Sequence, residues 1–150
     1  ISVEAKRNIE QLVDGAISQG AKRVTLPNNL DGCFMSPVIL QDVKHDMDIN
    51  RHEIFGPVAP IIRFDSEEQV LEMANDTVYG LACYFYTENI SRIWRMSEGL
   101  DYGMVGINEA VISTEVAPFG GVKHSGIGKE GAKQGIDEYM NIKYLCFSRR

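Results

Sequence analysis

The sequence predicts an α/β fold with a mainly parallel sheet that carries helices on both faces. Strand-like apolar runs alternate with amphipathic helical runs, and 44% of the 150 residues are hydrophobic, which is enough for a core. Alternation of this kind favours parallel strands because each crossover helix covers a face of the sheet. No internal repeat, low-complexity tract or linker divides the chain, so we expect one unit of one domain.

The first element is a helix in "VEAKRNIEQLVDGAISQGAK". Its apolar residues follow the i, i+3, i+4, i+7, i+8 spacing of a helix with one buried face. They are Ile9, Leu12, Val13, Ala16 and Ile17. Gly20 stands where the helix should end. Since the chain begins with Ile1 and is helical almost at once, we expect it to be a piece of a longer protein.

The next elements alternate in type. Strands are expected in "RVTL", "CFMSPVILQDV" and "PVAPIIRF". Ser66 then opens the helical run "SEEQVLEMAN", and Gln69 three residues later completes the capping-box spacing. "LACYFYT" and "GMVGIN" follow as strands on either side of the helix "NISRIWRMSEG". The chain should close with the helix "KEGAKQGIDEYM" and the strand "IKYLCFS".

The composition excludes several functional classes. The chain has 15 basic and 21 acidic residues, a net charge of −6, and so lacks the basic surface that nucleic acids and anionic membranes require. No apolar run approaches the ~20 residues of a membrane span. Cys33, Cys83 and Cys146 are scattered and odd in number. We expect reduced, mostly buried thiols in a cytoplasmic protein.

Three motifs resemble ligand-binding sites, but each lacks a feature that the site requires. "GIGKEG" (126–131) fits G-x-G-x-x-G, but no apolar strand precedes it, so a pyrophosphate site is not expected. "DMDIN" (46–50) begins like a calcium loop but continues with Arg51 instead of glycine. His45, His52 and His124 lack the spacing of zinc ligands. The sequence therefore predicts no metal site.

Two longer motifs point elsewhere. "EIFGPVAP" (53–60) and "PFGGVKHSGIGKEG" (118–131), in this order, resemble the C-terminal part of the catalytic domain of the aldehyde dehydrogenase superfamily. The resemblance covers essentially the whole chain, 1–150, and is greatest to the succinate-semialdehyde dehydrogenase branch. It implies an NAD or NADP cofactor, a small aldehyde substrate and a homo-oligomer, either dimer or tetramer.

The resemblance also assigns roles to four residues. Glu53 would accept hydrogen bonds from the nicotinamide-ribose hydroxyls, and Phe55 would pack against the nicotinamide end of the cofactor. Phe119 would line the aldehyde tunnel, and Ser113 would help to hold the far carboxylate of the substrate. The alternatives are a solvated loop acid at Glu53, core packing at Phe55 and Phe119, and a local backbone bond at Ser113.

In the family, a cysteine thiolate attacks the carbonyl to give a thiohemiacetal, and a thioester forms after hydride transfer to NAD(P)+. The resemblance places that cysteine, its glutamate base and the nucleotide-binding domain upstream of Ile1. We therefore expect no catalytic residue in this chain and no activity from it alone. The resemblance places an oligomerisation strand near 139–150. The alternatives are a non-catalytic assembly module and an aldehyde dehydrogenase of another substrate branch.

Overall fold

A computed structural model describes residues 2–26 and 30–149. The chain divides into two compact units, residues 1–73 and 74–150. That the whole chain belongs to one domain stays a prediction. Periodicity locates strands and helices along the chain, but it does not reveal which strands share a sheet, and here they pair in two separate sheets.

Helix α1 (Val3–Ser18) forms as the sequence predicts. The hydroxyl of Ser2 caps it by accepting a hydrogen bond from the N–H of Ala5 at 3.0 Å. Its apolar positions bury Ile9, Val13 and Ala16. After the helix, Gly20 has a φ of 109°, a conformation that favours glycine and turns the chain out of the helical path.

The first sheet has three short strands. β1 (Lys22–Arg23) pairs antiparallel with β2 (Val38–Gln41), and β2 pairs parallel with β3 (Val58–Pro60). Burial alternates along β2, with Val38 and Leu40 buried while their neighbours face outward. Such alternation places one face of the sheet against the core.

The core of the first unit joins α1 to this sheet. Its buried side chains come from the helix, from β2 and from the segment that follows β2. They are Val13, Ala16, Ala21, Val38, Leu40, Val43, Met47 and Ile49. Each large aliphatic side chain buried in this way stabilises the unit by about 1.5–3 kcal/mol.

Helix α2 (Glu67–Asn75) confirms the capping signal. The hydroxyl of Ser66 accepts from the N–H of Gln69 at 3.1 Å. The Gln69 side-chain carbonyl accepts in return from the N–H of Asp65 at 2.7 Å, one residue before the cap. Two backbone donors at the helix start are therefore satisfied.

In the second unit, β4 (Ala82–Phe85) and β5 (Met104–Ile107) form a parallel pair linked through helix α3 (Ile90–Gly99). The side chain of Asn89 caps α3 by accepting from the N–H of Arg92 at 3.0 Å. This strand–helix–strand arrangement is the parallel α/β unit that the sequence predicts.

The end of the chain differs from the prediction. Lys133–Tyr139 forms a 3₁₀ helix instead of an α-helix, and residues 140–149 form no strand. Ile142, Leu145 and Phe147 are more than four-fifths exposed. A lone strand cannot satisfy its backbone groups, and neither sheet pairs an edge with this segment. The oligomerisation strand near 139–150 stays a prediction that requires a second chain.

Within the described ranges, no helix combines the length and apolar character needed to cross a membrane.

Candidate active site

The turn before β3 presents two side chains outward. Ile54 packs against the core of the first unit, while Glu53 and Phe55 on either side of it are exposed. Gly56 lies so close to Ile9 that a β-carbon there would stand 2.5 Å from the Ile9 Cδ1 atom. The turn is therefore held by Ile54 and Gly56, and its acid and aromatic side chains are free for a ligand.

Phe55 has an unusual conformation for an aromatic residue. Its φ is 46°, in the left-handed region that costs energy for residues other than glycine, and its side chain is 75% exposed. The alternative of core packing at Phe55 was wrong. A strained, exposed aromatic is typical of a binding position, because neither the backbone nor the core gains from it.

The second pair lies on the connection that follows β5. Ser113 is exposed, and Phe119 is half-buried. The Phe119 backbone exchanges hydrogen bonds with Glu130, at 2.8 Å and 2.7 Å, in an isolated antiparallel bridge. Phe119 thus has a fixed backbone, whereas Ser113 lies on an irregular segment.

Phe119 lines a groove of about 840 Å³ in the second unit. Apolar side chains share the lining with the glycine-rich stretch: they include Leu81, Ile127, Ile136 and Tyr139. Ser113 is not among the lining residues. The apolar wall expected at Phe119 is thus accompanied by a cavity, and the hydroxyl at Ser113 lies outside it.

Gly80 ties the motif "PFGGVKHSG" to the start of β4. Its carbonyl accepts from the N–H of Gly103 and of Val122, both at 2.9 Å. Its own N–H donates to the Ser125 hydroxyl at 2.9 Å. Gly80 is buried, so these bonds satisfy a backbone that water does not reach.

Lys123 supports the same motif from a second direction. Its ammonium donates to the carbonyl of Asn75 at 3.3 Å, lies 3.5 Å from the Asp101 carboxylate and stands 5.4 Å from the centre of the Tyr102 ring. The positive charge of Lys123 thus lies at the C-terminal end of α2, where it interacts favourably with the helix dipole. Lys123 and Ser125 lie within the motif 118–131, and the sequence alone assigns neither of them a role.

The glycine-rich stretch 126–131 does not join a strand to an α-helix. It runs from the Lys123–Ser125 turn to the Phe119–Glu130 bridge and into a 3₁₀ helix. The Lys129 ammonium is occupied by the carbonyl of Gly121 at 2.6 Å. This geometry lacks the α-helix start that binds a pyrophosphate.

The burial of the three cysteine side chains differs from the prediction. Cys33 and Cys146 are exposed, and only Cys83 on β4 is half-buried. Burial raises the pKa of the Cys83 thiol, which lowers its fraction of reactive thiolate. The burial expected at the other two was wrong because both lie outside regular structure.

Among residues 2–26 and 30–149, no group of three or more histidine, cysteine, aspartate or glutamate side chains could hold a metal ion.

The family model described as "Aldehyde dehydrogenase family" matches residues 1–145 of this chain. The chain belongs to the aldehyde dehydrogenase family. A mitochondrial succinate-semialdehyde dehydrogenase of Arabidopsis thaliana is 50% identical over 148 residues, which cover 97% of this chain and 28% of that protein. A glutarate-semialdehyde dehydrogenase of Pseudomonas aeruginosa is 49% identical over 97% of this chain and 31% of its own length.

Solved structures of aldehyde dehydrogenases also resemble this chain. An aldehyde dehydrogenase of Brucella melitensis biovar abortus superposes with a TM-score of 0.93 at 52% identity, covering 98% of this chain and 30% of that one. A betaine aldehyde dehydrogenase of Staphylococcus aureus, solved in complex with NAD+, has a TM-score of 0.85 at 35% identity, over 93% and 29% of the two chains. The relatives also include an NADP(+) succinate-semialdehyde dehydrogenase of Escherichia coli, 46% identical over 97% of this chain and 31% of its own length. The chain therefore spans about 30% of the length of these relatives.

The four predicted residues lie in two pairs along the chain, and Ser113 is outside the groove that Phe119 lines. Glu53 and Phe55 share one turn, and Ser113 and Phe119 share one connection. Convergence of the two pairs on one tunnel stays a prediction. Asn108, at the start of that connection, has a φ of 54° and was missed; the only sequence signal was an asparagine directly after a strand.

Proposed function

We propose that this chain is the C-terminal part of the catalytic domain of an NAD(P)-dependent aldehyde dehydrogenase. In it, Glu53 and Phe55 contact the nicotinamide-ribose end of the cofactor, and Ser113 and Phe119 contact the aldehyde. The observation that carries the proposal is the turn at 53–57, whose half-buried Ile54 and closely packed Gly56 leave an acid and a strained aromatic exposed on either side of Ile54.

The residues of this turn fit the group they are proposed to hold. An exposed carboxylate accepts hydrogen bonds through both oxygens, which suits the two hydroxyls of a ribose, and an exposed phenyl face suits a flat ring. Bound NAD(P)+ supplies the hydride acceptor. Glu53 and Phe55 would orient it, while Phe119 would keep water from the reacting carbon. We propose NAD or NADP as the cofactor, since one relative is named for NADP(+) and another was solved in complex with NAD+.

The substrate that we propose is an aldehyde with an anionic group at its far end, with succinate semialdehyde first. Two similar relatives are named for succinate semialdehyde and glutarate semialdehyde, which share that chemistry. The exposed hydroxyl of Ser113 can donate one hydrogen bond to such an anion. It brings no charge, so a cation from elsewhere in the protein must complete the site.

The nucleophilic thiolate is proposed to come from the part of the enzyme before residue 1. Cys83 is half-buried with a raised pKa. The family resemblance implies a nucleophile well before the Glu53 motif, which corresponds to neither Cys33 nor Cys146. The chain by itself should accordingly produce no NAD(P)H from any aldehyde. The free thiols favour a reducing compartment, and we place the enzyme in the cytoplasm.

An assembly role is the second candidate, and it is compatible with the first. Ile142, Leu145 and Phe147 are exposed in a segment without its own strand partner. Such a segment can gain backbone bonds and apolar burial by adding to a sheet of a second copy. We propose a homodimer or homotetramer. Sedimentation of the full-length protein with Leu145→Glu should then show smaller particles than the wild type.

The proposed substrate is tested in the full-length enzyme by Ser113→Ala, with NAD(P)H formation followed by absorbance. We expect kcat/KM to fall about tenfold with succinate semialdehyde, since a hydrogen bond to a charged group is lost, and to change little with butanal. Ser91→Ala, an exposed serine on α3, is the matched control. An equal loss with both aldehydes would remove Ser113 from the substrate site.

A further inference from the structure

Asn108 links the ends of the two parallel strands of the second unit. Its side-chain carbonyl accepts from the N–H of Thr87 at 2.8 Å, and its amide nitrogen donates to the carbonyl of Thr87 at 2.9 Å. Its own N–H donates to the carbonyl of Phe85 at 3.0 Å. Three bonds from one residue therefore continue the pairing of β4 with β5 beyond the last strand residues.

This link lies at the edge of a sheet where α/β proteins bind ligands. Thr87 follows the carboxyl end of β4, and Asn108 follows the carboxyl end of β5. Ligands of α/β folds bind at the carboxyl ends of parallel strands, where the outgoing loops carry the contacts. The loop leaving Asn108 is the one that carries Ser113.

The backbone of Asn108 is part of the arrangement. Its φ of 54° lies in the left-handed region, which asparagine tolerates better than most residues but which still favours glycine. Only glycine would relieve this backbone, and glycine has no amide group to bond Thr87. An asparagine here meets both requirements, a turn at the strand end and a side chain with one donor and one acceptor.

Further bonds fix the loop on both sides of Ser113. The Glu109 carboxylate accepts from the N–H groups of Ala110 at 2.8 Å and Val111 at 3.1 Å. On the far side, the carbonyl of Glu115 accepts from the N–H of Ala132 at 3.0 Å. Ser113 thus lies between a local turn at Glu109–Val111, which directly follows Asn108, and the bond of Glu115 to Ala132, and the direction of this span is set where it leaves β5.

We propose that Asn108 is a positioning residue that sets the exit of this loop from β5 and thereby the place of the Ser113 hydroxyl. The inference rests on the proposed function, in which Ser113 bonds the anionic end of the aldehyde. Asn108 itself touches no substrate. Its removal therefore loosens the loop and weakens recognition of that anionic end, while the reaction at the aldehyde carbon continues.

Two variants separate the side chain from the backbone. Asn108→Gly removes both bonds to Thr87 and keeps the left-handed turn without strain. Asn108→Asp keeps the acceptor and sets a second oxygen against the Thr87 carbonyl, so that one bond remains at most. Asn89→Gly is the matched control, since it removes an asparagine cap from α3 in the same unit and leaves the Asn108 bonds intact.

The first readout is amide hydrogen exchange in the full-length protein. With Asn108→Gly the amide of Thr87 should exchange about tenfold faster or more, because it loses its acceptor. The amides of Ala110 and Val111, which donate to the Glu109 carboxylate, should also exchange faster, because the loop is no longer held where it leaves β5. Asn108→Asp should give a smaller increase. Asn89→Gly should leave these amides at their wild-type rates. Unchanged exchange of the loop amides in Asn108→Gly would overturn the proposal.

The second readout is the split between KM and kcat. With Asn108→Gly we expect KM for succinate semialdehyde to rise about fivefold or more, KM for butanal to stay within twofold, and kcat to be kept with both. An equal rise in KM for both aldehydes, or a loss of kcat alone, would overturn the positioning role.

The two proposals fail in different ways. A wild-type enzyme that oxidises neither aldehyde would overturn the proposed function, and the exchange experiment would still decide whether Asn108 anchors the loop. A wild-type enzyme that oxidises succinate semialdehyde while Asn108→Gly matches it in exchange and in KM would overturn the role of Asn108 alone. Circular dichroism of each variant confirms that folding is retained.

Discussion

Phe119 and Glu130 hold each other by two backbone hydrogen bonds: the N–H of Phe119 donates to the carbonyl of Glu130 at 2.8 Å, and the N–H of Glu130 donates back at 2.7 Å. The bridge closes a loop of glycine-rich chain between them. The groove that Phe119 lines is therefore built mostly by residues 119–139, with Leu81 added from just before β4, and its shape depends on how closely the glycine-rich stretch can approach its neighbours.

Gly103→Ala should disrupt this loop. A β-carbon at Gly103 would overlap the carbonyl of Gly120, and that backbone cannot yield without moving the motif. We expect a loss of about 1–3 kcal/mol in the free energy of unfolding. Gly15→Ala is the control: nothing lies within 4 Å of a β-carbon there, and alanine should stabilise α1 by about 0.5–1 kcal/mol. Urea unfolding of both variants checks the signs, and a neutral Gly103→Ala would contradict the close approach.

Ser125→Ala should cost about 1–3 kcal/mol, because the N–H of buried Gly80 loses its acceptor. Ser97→Ala is the control, for which we expect no loss of stability. The Ser97 hydroxyl is buried on α3 without a hydrogen-bond partner in the described part of the chain, so its removal should be neutral or stabilising. Thermal unfolding compares the two. Equal destabilisation by both variants would show that the bond to Gly80 contributes little.

The cysteines should react at different rates. Exposed Cys33 and Cys146 should be alkylated by iodoacetamide in the native protein. Half-buried Cys83, with its raised pKa, should react more slowly by a factor of about ten or more. Peptide mass spectrometry after timed labelling measures each site, and the denatured chain gives the rates without structure. Rapid native labelling of Cys83 would contradict its burial on β4.

The Glu109 carboxylate should make the loop sensitive to acid. Backbone hydrogen bonds from Val111 and Ala110 lower the pKa of Glu109 below its ordinary value of 4.5. The folded pKa is depressed, so the stabilisation is complete above pH 4.5 and is lost as the pH falls through the folded pKa. NMR titration of the two amides should show this transition in the wild type. Glu109→Gln should abolish it, and a transition at or above 4.5 would argue against the bonds.

Glu53→Gln in the full-length enzyme should lower kcat about tenfold, since a neutral amide bonds the ribose hydroxyls more weakly and aligns the cofactor less well. Glu72→Gln, an exposed acid on α2, should leave kcat unchanged. Steady-state kinetics with saturating aldehyde measures both. If Glu53→Gln kept kcat and the cofactor KM, Glu53 would have no part in the site.

Local signals predicted the elements whose causes are local. The apolar spacing in α1, the Ser66–Gln69 cap of α2 and the Asn89 start of α3 depend on residues within one or two turns, and each was confirmed. The predicted final strand does not form in this structure, because strand formation depends on a partner that is distant in the sequence. Its apolar residues predict strand formation, but a strand exists only where a partner offers free backbone groups, and residues 140–149 pair with no strand in the described part of the chain.

The sequence by itself determined the family and the four candidate residues, because two motifs in order identify a shared ancestry without any knowledge of contacts. Only the tertiary structure revealed that Phe55 is exposed with a left-handed backbone and that the Asn108 side chain forms hydrogen bonds with Thr87. Both depend on residues that are brought near one another by folding. Burial and hydrogen bonds between distant residues are properties of the packed chain, and no periodicity along the sequence encodes them directly.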